Sequence, residues 1–91
     1  MNPSTEQILI SGKVQGVGFR WTTKRLTAEL PVAGFVRNLA DGRVEIVVTG
    51  EVGSIDELIS RLKARFGSGI STIERQTRPN LEDFSGFDIR R

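Results

Sequence analysis

Three glycines fall within the seven positions Gly12-Lys13-Val14-Gln15-Gly16-Val17-Gly18, and Phe19-Arg20 follow at once. Glycine lets a backbone take positive φ and approach a ligand closely. An alternating apolar run, Gln7-Ile8-Leu9-Ile10-Ser11, precedes this stretch and a helix-like segment succeeds it. A strand, a glycine turn and a helix start aim free amides at one point, where they attract negative charge. Arg20 adds a planar guanidinium fork suited to phosphate. Gln15, Gly16, Val17, Gly18, Phe19 and Arg20 are therefore the candidate phosphate-binding residues.

The turn is neither a nucleotide P-loop, since no Lys-Ser or Lys-Thr pair follows at the right spacing, nor the dinucleotide fingerprint, whose glycine spacing differs. A cation in the first turn of a helix opposes the helix dipole. Arg20 is thus poorly placed unless an anion sits beside it. Asn38 precedes the turn signal Asp41-Gly42. Its carboxamide either caps that turn or, having both donor and acceptor, orients a water molecule. Spacing alone does not bring it beside Arg20. Asp41 fits turn chemistry, and Glu45 reads as an outward residue of an alternating strand rather than as a metal ligand. Trp21 and Phe35 read as packing residues. The chain has no Cys and no His, so thiol chemistry, disulfides, imidazole bases and the commonest metal ligands are excluded.

The elements that must position these residues follow from periodicity and punctuation. Strands are predicted over 7–14, 34–39, 43–49 and 70–77, and helices over 19–30 and 54–66. Val44, Ile46 and Val48 alternate against Glu45, Val47 and Thr49, the period of a half-buried strand. Asp41-Gly42 signals a hairpin between the second and third strands. Ile55, Leu58, Ile59, Leu62 and Phe66 fall on one helical face. Ser54 and Glu57 match a capping box, and Gly67 fits a helix end. Residues 80–86 read as a loop, and 87–89 can add a short fifth strand. The order β-α-β-β-α-β implies an α+β, ferredoxin-like α/β sandwich: a four-stranded antiparallel sheet with two helices on one face.

With 91 residues, one domain over 1–91 is expected. Of thirteen Lys and Arg, ten are Arg, scattered along the chain, and the net charge is only +2. That is no footprint for nucleic acid. Residues 1–7 are polar, and Ile8-Leu9-Ile10 is too short for a signal core or a membrane span. A cytoplasmic, monomeric protein with no membrane association is the expectation.

The segments Gly12-Lys13-Val14-Gln15-Gly16-Val17-Gly18-Phe19-Arg20 and Gly34-Phe35-Val36-Arg37-Asn38-Leu39-Ala40-Asp41-Gly42-Arg43-Val44-Glu45 together resemble the two signature segments of acylphosphatases. The likeness extends over nearly the whole chain to Phe87-Asp88-Ile89-Arg90. Pro31 stands where the family often has Gly, and Phe35 where Trp or Tyr is more usual. The resemblance implies hydrolysis of an acyl phosphate to a carboxylate and inorganic phosphate; no cofactor and no metal are expected, since the chain has no His, no Cys and no evident set of metal ligands. The resemblance makes Arg20 the phosphate-binding arginine, Asn38 the water-orienting asparagine and Thr23 a supporting hydroxyl. The chemistry suits what the chain lacks: the leaving carboxylate has a conjugate acid of pKa about 4 and departs without a strong general acid. A non-catalytic anion or small-ligand module on the same fold is the alternative, and needs no Asn38. A third reading is a module of a carbamoyl-transfer maturation protein, which would continue into cysteine-rich segments.

Overall fold

The computed structural model describes residues 3–79 and 83–91. In chain order its elements are β1 (Ser4–Gly12), α1 (Phe19–Thr27), β2 (Ala33–Asn38), β3 (Val44–Gly50), α2 (Val52–Phe66), a 3-10 turn (Gly67–Gly69), β4 (Ile70–Arg78) and β5 (Phe87–Arg90). The strands form one sheet in the order β4-β1-β3-β2-β5. Period-two alternation decides which side chains meet the helices. Ile8 and Ile10 of β1 lie opposite Ile46 and Val44 of β3, and Val36 of β2 lies opposite Ile46 from the other side. All five are fully buried, as are Ile55, Leu58 and Leu62 of α2. This single apolar layer between sheet and helices is the core.

The fifth strand forms, and it makes the sheet mixed rather than purely antiparallel. β5 pairs parallel with β2, with Val36 opposite Ile89. β2 runs opposite to β3 and hence opposite to β4, so a chain that reverses after β4 and reaches the far edge meets β2 in parallel. Of the predicted loop over 80–86, residues 80–82 lie outside the described residues. Phe84 packs edge-on against Phe35, ring centroids 6.0 Å apart, on the sheet face away from the helices.

Element ends differ from expectation for local reasons. β1 starts at Ser4, because Thr5 and Glu6 pair across to Thr49 and Val48 despite their polarity. The Glu6 carboxylate is held there by the Arg75 fork at 2.7 and 3.0 Å. α1 stops at Thr27, not at residue 30. The amides of Glu29 and Leu30 bond three residues back, to Leu26 and Thr27, so the last turn tightens ahead of Pro31. α2 starts at Val52, and the Ser54–Glu57 capping box does not form. Glu51 is the N-cap; its carbonyl accepts from the amides of Ser54 and Ile55, and Glu57 instead pairs with Arg61 at 2.9 Å. No helix among the described residues is long and apolar enough to cross a membrane.

Candidate active site

The glycine turn is fixed at three points and free between them. Val14 and Phe19 are each 1% exposed, and the Phe19 ring packs on Phe66 with centroids 4.6 Å apart. The Gln15 side chain reaches across to the β2–β3 hairpin, where its Nε2 donates to the carbonyls of Leu39 (2.8 Å) and Arg43 (3.0 Å). Between these anchors Gly16 and Gly18 are left-handed, with φ of 76° and 79°. Among the described residues, leaving aside each glycine and its immediate chain neighbours, no atom lies within 4 Å of where a Cβ on either would stand. Glycine is therefore required here by backbone conformation, not by crowding.

Gly18 is also the N-cap of α1, with no side-chain cap and no acidic residue in the first turn. The first intrahelical bond runs from the Thr22 amide to the Gly18 carbonyl, at 2.9 Å. The amides of Phe19, Arg20 and Trp21 precede it and have no helical acceptor. The end of the turn is thus electropositive before any side chain is counted. Arg20 adds a full charge. Among the described residues no hydrogen bond or ion pair engages its guanidinium.

Arg20 and Asn38 line one cavity of about 230 Å³, together with Gly16, Gly18 and Phe19. Asn38 ends β2, and its Oδ1 is buried without a hydrogen-bond partner among the described residues. A buried, unsatisfied carboxamide oxygen costs free energy unless something donates to it. Of the other expected residues, Gln15 and Val17 do not line the cavity, and the Gln15 side-chain amide is committed to the hairpin. Thr23 lies one turn further on, fully buried, and its Oγ1 donates to the Phe19 carbonyl at 2.8 Å.

Two readings from sequence require correction. Trp21 is not a packing residue: it is 61% exposed and lies on the cavity rim. Glu45 does not point to solvent. Its side chain is buried on the sheet face away from the helices, accepting from Gln7 Nε2 (2.7 Å) and Arg37 Nε (2.6 Å). Neither Glu45 nor Asp41 lines the cavity. Asp41 works in the hairpin, where it accepts from the Arg43 amide and Nε at 3.0 and 2.9 Å. These bonds, the backbone one foremost, hold its carboxyl below the ordinary carboxylate range. Ile89 and Arg91 also line the cavity, carried there by the parallel pairing of β5 with β2. No local signal in the sequence marks that pairing.

The two-layer sandwich is of the ferredoxin-like α+β class seen in solved acylphosphatase structures. It superposes on an acylphosphatase from Coxiella burnetii with a TM-score of 0.83 at 35% identity, covering 98% of this chain and 94% of that one. Residues 6–89 match the family model described as Acylphosphatase. An acylphosphatase of Archaeoglobus fulgidus is 38% identical over 85 residues, which is 91% of this chain and 93% of the relative. The fold also matches part of a longer chain, HypF of T. kodakarensis, with a TM-score of 0.85 at 31% identity over 97% of this chain and 12% of that one. The chain belongs to the acylphosphatase family, the enzymes whose reaction is the hydrolysis of acyl phosphates.

Proposed function

We propose that this chain hydrolyses acyl phosphates with the phosphoryl group held by the 15–20 turn and the attacking water oriented by Asn38. The observation that carries this reading is the convergence on one cavity of Arg20, the uncapped start of α1 and the unpartnered Oδ1 of Asn38. The turn amides and the guanidinium bind the non-bridging oxygens and stabilise charge that builds in the transition state. Asn38 Oδ1 accepts a hydrogen bond from the water and holds it for in-line attack. The water oxygen bonds to phosphorus as the bond to the bridging oxygen breaks. The carboxylate leaves with that electron pair. A phosphoryl oxygen takes the water's proton, since no side-chain base lines the cavity among the described residues. Inorganic phosphate and a carboxylate are the products.

The test is release of phosphate from benzoyl phosphate by purified protein, with and without EDTA. Turnover that EDTA leaves unchanged is expected, because the chain has no His or Cys and no group of three potential ligands gathers among the described residues. Absence of turnover, with phosphate still bound, would favour the alternative of a non-catalytic anion module.

A further inference from the structure

The described residues include four exposed large hydrophobic side chains: Val17, Trp21, Val52 and Ile89. Two of them, Trp21 and Ile89, line the cavity that holds Arg20 and Asn38; Val17 lies between Gly16 and Gly18 in the turn but does not line the cavity. Single exposed apolar residues on a protein surface need no explanation, but a cluster at the mouth of a polar cavity marks a ligand surface. The indole does not fill the core, being 61% exposed. It is held by Arg25, whose guanidinium carbon lies 5.4 Å from the ring centroid, within cation–π range. Trp21 also forms a wall of a second hollow, next to Leu26. It therefore stands as a partition between the reaction cavity and an adjoining groove.

An acyl phosphate held by its phosphoryl group at the turn and Arg20 must send its acyl group out through this mouth. We propose that Trp21 is a specificity-determining residue, receiving the acyl group on its indole so that aromatic or extended apolar acyl phosphates are favoured over acetyl phosphate. This rests on the placement of the phosphoryl group given above. The contact is far from the bond that breaks and is the same in ground and transition states, so its effect belongs in KM rather than kcat.

The experiment compares kcat/KM for benzoyl and acetyl phosphate in wild type, Trp21→Ala and Trp21→Phe. The difference in intrinsic reactivity of the two substrates cancels in the ratio. Trp21→Ala is expected to lower the benzoyl-to-acetyl ratio by about 3- to 10-fold, the span of one aromatic contact. The loss appears chiefly in the KM for benzoyl phosphate, and Trp21→Phe restores most of it. A second arm needs no turnover: the affinities of benzylphosphonate and inorganic phosphate are measured for wild type and Trp21→Ala. Trp21 is the only Trp and there is no Tyr, so intrinsic fluorescence reports this residue alone. Benzylphosphonate should perturb it more than phosphate does, and its affinity advantage over phosphate should shrink in Trp21→Ala. An unchanged substrate ratio together with an unchanged phosphonate advantage would overturn the assignment. A wild type that hydrolyses neither substrate would contradict the catalytic reading instead, and the phosphonate arm would still decide the role of the indole.

Discussion

The side-chain amide of Gln15 lies 2.8 Å from the carbonyl oxygen of Leu39, and this one contact joins the two halves of the site. Gln15 belongs to the turn that leads to Arg20, and Leu39 is the residue after Asn38. With its second bond, to the Arg43 carbonyl, Gln15 ties the turn that leads to Arg20 to the hairpin that follows Asn38.

Gln15→Ala is expected to lower stability by about 1 kcal/mol, the low end for two solvent-facing hydrogen bonds. A melting curve should show a shift of roughly 4–8 °C for a domain of this size. Turnover should fall further than stability suggests, by about 10-fold or more, because displacement of one catalytic group by a fraction of an ångström is costly. Gln15→Glu should be no better than Ala, since a carboxylate facing two carbonyls repels where the amide donates.

Inorganic phosphate should stabilise the fold through the same cradle. The turn exists as a site only when β1 and α1 are docked, so the unfolded chain has little to offer the anion. Phosphate at ten times its Kd adds about 1.4 kcal/mol, a rise in melting temperature of roughly 5–10 °C. Arg20→Ala should shrink the rise, and Arg20→Lys should restore little of it because a point charge does not replace the fork. Chloride at matched ionic strength is the control.

Much of this arrangement was readable before any fold was known. The spacing of Gly16, Gly18 and Arg20 and the alternation of Val44, Ile46 and Val48 are local patterns, and each produced the element expected. What was not readable depends on distant pairings. Arg20 and Asn38 line one cavity because α1 packs over β2, which no spacing between them encodes. Ile89 reaches the cavity only through the parallel pairing of β5 with β2. Glu45 lies on the outward face, where alternation places it, but is buried there by its cross-strand partner Arg37 and by Gln7 of β1. The Ser54–Glu57 pattern failed because the helix begins two residues before Ser54, where the Glu51 carbonyl takes the first bonds.

The hairpin beyond Asn38 should loosen in acid. The Asp41 carboxyl titrates below its ordinary value of 3.8 because the ionised form accepts from the Arg43 amide and side chain. A group with a depressed folded pKa contributes stability above its unfolded pKa and loses it as pH falls through the folded value. The melting-temperature gap between wild type and Asp41→Asn should therefore be constant near neutrality and close as pH drops below about 3.8. A gap that persists unchanged at lower pH would show that the charge of Asp41 contributes nothing to the hairpin.

The division of labour between Arg20 and Asn38 is tested most directly by Asn38→Ala, with turnover of benzoyl phosphate and binding of inorganic phosphate measured on the same preparation. Removal of the carboxamide takes away the acceptor for the water and leaves the anion cradle in place. Turnover should fall by at least ~10²-fold, the low end for loss of a preorganised polar group, while phosphate affinity stays near that of the wild type. Near-normal turnover in Asn38→Ala, or a loss of phosphate affinity as large as the loss of turnover, would contradict the role given to Asn38.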